Sequence, residues 1–349
     1  MDATPQKITA TIKVSIITPC FNRGDIISET AQSIFQQTYT NWEWVIVDDG
    51  SSDNSLEIIR AFADQDNRVK VLTRDRFPKG ACTCRNIAVE NSEGDYLLFL
   101  DTDDLLSSFC LSQRVKAVLE APECDFIIFP MLLFKKNPDD LNLLWNIDNH
   151  NDDIDRVLSG DPICQGTGTL WKKKSFINVG MWDEQLYLWQ DIELHLRSFL
   201  KRLKYEKRFD LQPDVFLRIS DVSLSRTGYH SLPKFLSRWR VFKQTAEEMQ
   251  MQSLILTYQK GLKRMFTDIF INAVSSRYHS EANEMIAYVK KSDLFNKHEL
   301  RTLKLYHTVN KFKLYKIPVF IKYIQSLVQK NLEYKNAGVG KHIYITKTN

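Results

Sequence analysis

The chain has 349 residues, 43% of them apolar and 26% charged, with 12 Gly and 10 Pro. That composition excludes a fibrous, low-complexity or disordered chain, and the length exceeds what one compact core usually holds. The net charge of +4 is unevenly spread: residues 251–349 carry 17 Lys and Arg against 6 Asp and Glu, which leaves residues 1–250 at −7.

An acidic front and a basic tail predict different partners for the two parts. The N-terminus has no basic stretch leading into an apolar one, and no apolar run approaches a membrane span, so a cytoplasmic chain is expected. The six cysteines (Cys20, Cys82, Cys84, Cys110, Cys124, Cys164) show no C-x-x-C spacing. They are expected as small buried residues in a reducing compartment.

In chain order, Val14-Ser15-Ile16-Ile17 is a β-branched strand that stops at Thr18-Pro19. The loop Cys20–Gly24 follows, and Asp25 is expected to cap a helix with Ile26, Ile27, Ala31, Ile34 and Phe35 on one face. Glu43–Val47 is a second buried strand, ending in Asp48-Asp49-Gly50-Ser51-Ser52-Asp53 with Asp53 as the next cap. Leu56, Ile58, Ile59 and Phe62 mark the second helix, Val69–Leu72 a third strand, and Gly80 opens a loop into a helix around Arg85–Val89. Tyr96–Leu100 is a fourth strand that runs directly into Asp101-Thr102-Asp103-Asp104.

Strand–helix alternation with short links predicts an α/β fold with a mostly parallel, Rossmann-like sheet and right-handed crossovers. The polar ends of the first, second and fourth strands must then gather on one sheet edge, where open α/β sheets bind ligands. Three carboxylates in four residues repel one another unless a cation sits among them, and hard ions such as Mg2+ or Mn2+ take carboxylate oxygens. The same tetrapeptide also reads as a solvated loop or a helix cap, with Asp104 or Ser107 opening a helix that runs to Glu120. A Gly-rich dinucleotide fingerprint and a phosphate-cradling loop with Lys-Ser/Thr are absent from the sequence, which disfavours dehydrogenases and P-loop enzymes.

Further on, Asp125–Phe134 reads as one buried strand, residues 135–160 as a polar loop, and Gly166–Trp171 as a strand entering the Lys172–Lys174 turn. A helix from Asp191 buries Ile192, Leu196, Phe199, Leu200 and Leu203, which sets Asp191 near a helix start whose dipole favours its ionised form.

At this point the ordered motifs resemble the family 2 glycosyltransferases over residues 12 to about 225. They are Val14–Asn22, Ser33–Thr38, Val45–Asp53, Gly80 with Arg85-Asn86, Gly94–Asp104, Gly180–Glu184 and Gln190–Leu194. The resemblance implies the GT-A fold and an inverting, metal-assisted transfer from a nucleotide-sugar, UDP-linked, to a hydroxyl of a glycan or lipid-linked glycan. It implies a role in cell-surface polysaccharide synthesis. By the same resemblance Thr18, Pro19, Phe21, Asn22, Asp49, Gly80, Arg85, Asp101 and Thr102 bind the donor. Asp101, Asp103 and Asp104 hold a divalent metal (Mn2+ or Mg2+), with either Asp103 or Asp104 as the main ligand. Asp191 is the general base, and Trp189 and Gln190 meet the acceptor.

Blander readings stay open beside these. Asp48 and Asp49 suit a turn with Gly50, Asp191 a helix cap, Trp189 a core position and Asn22 a bond within its own loop. A protein that kept the fold and binds nucleotide or carbohydrate without catalysis is the alternative function. The family often carries a His two residues after the position of Arg218, where this chain has Ser220.

The motifs divide the chain into a GT-A domain over residues 1–230 and a basic, mainly helical region over 231–349. In the latter, Pro318 is expected to break the last section, and Phe320, Ile321, Ile324, Leu327 and Val328 form an apolar stripe beside Lys322 and Lys330. That stripe suits a helix packed on the catalytic domain. The excess positive charge suits peripheral attachment to an anionic membrane on its inner face. No basic-aromatic motif points to nucleic acid.

Overall fold

The computed structural model describes residues 12–219, 227–292, 294–332 and 344–345. The position of Ser220 lies outside them.

The first half alternates as expected: β1 (Val14–Cys20), α1 (Ile27–Phe35), β2 (Trp42–Asp48), α2 (Ser55–Gln65), β3 (Val69–Thr73), α3 (Ala81–Glu90) and β4 (Tyr96–Phe99). Then come β5 (Leu105–Leu106), α4 (Cys110–Glu120), β6 (Phe126–Ile128), β7 (Leu132–Phe134), β8 (Leu143–Leu144) and α5 (Asp153–Leu158). They are followed by β9 (Thr169–Lys172), α6 (Lys173–Val179), α7 (Gln190–Leu200), β10 (Tyr205–Lys207) and β11 (Val215–Arg218).

The main sheet has the order β10-β6-β9-β4-β1-β2-β3, with β1 parallel to both β2 and β4, and β9 antiparallel to β4 and β6. The β1, β2 and β4 ends therefore meet on one edge. Successive strand residues enter opposite layers, as the pleat requires. Ile16, Ile46 and Leu98 pack with α1 and α4, while Ile17, Val45 and Leu97 pack with α3 and α7.

Several expectations need correcting. Leu105-Leu106 is not helical but pairs antiparallel with Val215-Phe216, and α4 begins only at Cys110, with neither Asp104 nor Ser107 capping it. The run Asp125–Phe134 splits at Pro130, which has no N–H for a ladder. Phe126–Ile128 joins the main sheet, and Leu132–Phe134 joins a second sheet with β8, β11 and β5. Residues 135–160 are not all loop, since α5 is capped by the Asp152 carboxylate accepting from Asp155 N–H at 2.9 Å. Gly166–Gly168 forms a single 3-10 turn ahead of β9. Asp25 caps nothing: α1 starts without a side-chain cap. All six cysteines are buried and unpaired.

The rest is helical: α8 (Leu232–Met251), α9 (Gln259–Ser275), α10 (His279–Lys290), α11 (Lys297–Lys311) and α12 (Pro318–Asn331), with a short β12 (Tyr344–Ile345) returning to β8. Phe235, Trp239, Phe242, Ala246 and Met249 recur at helical spacing along the buried side of α8. They share one apolar cluster with Phe99, Trp171, Leu194 and Leu196, so the core is continuous across residue 230. Pro318 does mark a break in the last section: α11 ends at Lys311, and Pro318 stands in the first turn of α12, where its missing N–H costs nothing. Of the expected stripe, Ile324 and Val328 are buried and Leu327 is half-buried, so this side of α12 packs inward, against α11; the side chains of Phe320 and Ile321 lie outside those described.

Candidate active site

The acidic tetrapeptide leaves β4 at the shared sheet edge, and its three carboxylates differ in surroundings. Asp101 remains 46% exposed and receives Arg85 Nη2 on Oδ1 at 2.6 Å. Asp104 is buried, and both its oxygens are taken: Oδ1 by the Arg218 backbone N–H at 3.0 Å, Oδ2 by the Thr167 hydroxyl at 3.3 Å. Burial, with the charges of Asp103 and Asp101, pushes its pKa well above the usual carboxylate range. The Asp103 carboxylate receives no hydrogen bond or ion pair from another residue among those described. Burial and the Asp101 charge raise its pKa as well.

A divalent cation fits this donor set. Asp103 and the outer oxygen of Asp101 are hard anionic ligands short of a partner, and ions of the Mg2+ type are held by one or two carboxylates plus substrate phosphates. Asp104, by contrast, ties the end of β4 to β11 and to the Gly166–Gly168 turn.

The end of β2 lies alongside. Asp48 is a turn residue, its Oδ2 accepting the Gly50 and Ser51 N–H groups. Asp49 is buried and held by Arg74 Nε at 2.5 Å. Asn22 has a left-handed backbone (φ 51°) and bonds the neighbouring loop rather than its own, its Oδ1 accepting Ser52 N–H at 2.8 Å. Phe21 lies under Lys79, whose Nζ is 3.6 Å from the ring centroid. Pro19 sits half-buried in β1, and Gly80 precedes α3 at φ 148°. Thr18 and Thr102 lie inside the fold: Thr18 Oγ1 accepts Trp44 Nε1–H, and the Thr102 carbonyl accepts the Thr30 hydroxyl, both at 2.9 Å.

Helix α7 brings the remaining group. Asp191 lies in its first turn, yet its carboxylate caps nothing there. Oδ1 accepts the Gly166 N–H at 2.6 Å, 25 residues away in sequence. Burial raises its pKa, with Arg85 pulling the other way, so the helix start does not leave it an ordinary strong acid as expected. Arg85 joins the two halves, Nη2 on Asp101 and Nη1 on Gln190 Oε1 at 3.3 Å. Trp189 adopts a left-handed backbone (φ 64°) and is partly buried against the core. Below Asp191, neutral His195 donates Nδ1–H to the Asp191 carbonyl at 2.7 Å; burial lowers its pKa to about 4.

Some of these residues escaped the sequence reading. Thr167 and Gly166 sit in what reads as a strand, although a Gly-Thr-Gly-Thr run is itself a turn signal. Arg218 donates Nε–H to the Asp103 carbonyl and Nη2–H to Glu29. Arg114 and Asp214, both fully buried, pair at 2.7 Å, and Arg114 Nη1 also donates to the Thr167 carbonyl. Nothing in spacing links residues 100 apart.

Residues 15–180 match the glycosyl transferase family 2 profile. Among curated relatives, an Escherichia coli UDP-Glc:alpha-D-GlcNAc-diphosphoundecaprenol beta-1,3-glucosyltransferase, WfgD, is 38% identical over 107 residues, 31% of this chain and 41% of that one. The putative teichuronic acid biosynthesis glycosyltransferase TuaG of Bacillus subtilis is 36% identical over 107 residues, 31% of this chain and 42% of that one. The matches thus span about two fifths of these relatives' length. Staphylococcus aureus TarS 1–349, solved with UDP-GlcNAc, superposes with a TM-score of 0.58 at 16% identity, covering 86% of this chain and 89% of that one. A Pyrobaculum calidifontis mannosyltransferase, solved with GDP-Man and Mn2+, gives 0.53 at 16% identity, over 93% and 88%. These likenesses establish the GT-A fold.

Proposed function

This chain belongs to glycosyl transferase family 2 through residues 15–180, and on that footing we propose that it transfers a sugar from a UDP-linked donor to a hydroxyl of a lipid-linked glycan, with inversion. Residues 1–230 bind donor and acceptor in this reading. The basic helices beyond keep the chain near a membrane that carries the acceptor, in cell-surface polysaccharide synthesis. The observation that carries the proposal is Arg85 bonded to both Asp101 and Gln190, with its charge and that of Asp101 acting on Asp191 and the Asp101 charge also acting on Asp103.

Asp49 and Phe21 flank the nucleoside, and Arg85 and Asp101 face the diphosphate and ribose. Asp103 and the free oxygen of Asp101 hold the divalent ion, which when bound neutralises charge on the departing nucleoside diphosphate. Asp191 takes the proton of the acceptor hydroxyl as that oxygen attacks the anomeric carbon from the face opposite the leaving group. Its raised pKa makes it a better base than an ordinary carboxylate, and the Gly166 N–H fixes its orientation. Trp189 and Gln190 border the acceptor side.

Hydrolysis of UDP-sugars with Mn2+ tests the reading. The wild type turns over, and Asp103→Ala and Asp191→Ala lose nearly all activity. Equal residual rates in all three proteins would favour a non-catalytic nucleotide- or carbohydrate-binding protein instead.

A further inference from the structure

The inward side of α12 is not the side that the basic tail offers to a partner. From Leu300 to Leu332 the sequence has seven cations (Arg301, Lys304, Lys311, Lys313, Lys316, Lys322, Lys330) and no acidic residue. All seven are exposed, and none is in an ion pair among the described residues. Ile324, Val328 and Leu332 turn inward. On the opposite face of the same helix, at 3.6-residue spacing, stand Val319, 76% exposed, and Tyr323, 56% exposed, on the side that also carries Lys322 and Lys330. At the preceding corner Ile317 is 46% exposed and Phe312 65% exposed, flanked by Lys311, Lys313 and Lys316.

Four large apolar side chains facing water amid unpaired lysines have two unmet demands, an anionic partner and an apolar one. A nucleic acid or an acidic peptide supplies the first alone, whereas an anionic bilayer supplies both. Lysines meet its headgroups, aliphatic side chains its acyl boundary, and tyrosine suits the interface between. No helix among the described residues is long and apolar enough to cross a membrane, so the contact is one of lying on the surface. We propose that the α11–α12 corner and the outer face of α12 form a docking surface for anionic phospholipid, with Phe312, Ile317, Val319 and Tyr323 entering the interface. This rests on the proposed membrane-proximal function and names the face that delivers it.

Sedimentation of the full chain with vesicles tests it, using phosphatidylcholine alone and an equal mixture with phosphatidylglycerol. The chain pellets with the mixture, stays in the supernatant with phosphatidylcholine, and is released as salt is raised. Each lysine near such a surface contributes roughly fivefold in partitioning. Lys316→Glu with Lys322→Glu therefore weakens binding by roughly 25-fold or more, and Val319→Ser with Tyr323→Ser weakens it without changing the charge. All four positions are exposed, so circular dichroism and donor hydrolysis without vesicles stay at wild-type levels. Equal pelleting with both lipids, or none with either, overturns the proposal. So does retention of full binding by the Val319/Tyr323 variant, which would mark a general polyanion surface of the kind that heparin or DNA would occupy. If vesicle binding follows the expected pattern while the wild type never hydrolyses a donor, the glycosyltransfer reading fails and the docking surface stands.

Discussion

Asp191 is a carboxylate held at a cost. Its folded pKa lies above that of the unfolded chain because burial outweighs Arg85 and the Gly166 N–H. Its contribution to stability is therefore fully present below the unfolded value and lost as pH rises through the folded one. Asp191→Asn keeps an acceptor for Gly166 and removes the buried charge. We expect a melting temperature at pH 7 equal to or above that of wild type, with the difference fading toward acid, in a protein that has lost transfer. A variant much less stable at pH 7 would mean that the carboxylate is there for packing. With Asp191 as the base of the proposed reaction, the acid limb of the wild-type rate profile should fall at a higher pH than a free aspartate would give, since that base must be ionised to act.

Among elements, the Gly166–Gly168 turn does the joining: its N–H orients Asp191, its Thr167 hydroxyl reaches Asp104, and its Thr167 carbonyl takes Arg114. Space there is tight, since a side-chain carbon on Gly166 would stand 3.3 Å from Phe99 Cβ and 3.5 Å from Asp191 Oδ1. Asp104 belongs to this joint. Asp104→Ala leaves the Arg218 N–H and the Thr167 hydroxyl unpaired, and urea unfolding should register a loss of about 2–4 kcal/mol. Asp103→Ala should leave the urea midpoint in place while abolishing the Mn2+-dependent rise in melting temperature. If the two swapped behaviours, Asp104 would be the metal ligand.

The strands β1, β2 and β4 and their polar ends were legible because each is a short β-branched or aromatic run that stops at Asp, Asn or Thr, and parallel pairing puts those ends together. Asp101, Asp49 and Asp191 followed from motif order. What the chain does not display locally is long-range choice. Pro130 diverts a continuous apolar run into two sheets, Leu105-Leu106 becomes a strand through Val215-Phe216, and Arg114 finds Asp214 across 100 residues. Helical period alone placed Ile324, Leu327 and Val328 on one side of α12 but did not point to the exposed apolar residues Val319 and Tyr323 on the other.

At the scale of the whole molecule, the apolar cluster running from Phe99 and Leu196 through Phe235, Trp239 and Phe242 means that α8 to α12 are more than an appendage. A fragment ending at residue 230 uncovers the α7 side of that cluster. It should express as an aggregating or molten species, with loss of near-ultraviolet circular dichroism, while the full chain remains cooperative. A soluble fragment with native-like spectra would show that the two regions fold separately.

Arg85 gives the molecule a sense of sequence in time. One arm grips Asp101 on the donor side and the other Gln190 at the start of the helix that carries Asp191. On the proposed function, diphosphate arriving at the guanidinium would compete with both grips at once, so the acceptor side would be released only after the donor had been seated. Turnover should then be compulsory-ordered, donor first and nucleoside diphosphate last out. Initial-rate product inhibition would report this as UDP competing with donor alone, whereas a random pattern would mean that the two arms let go independently.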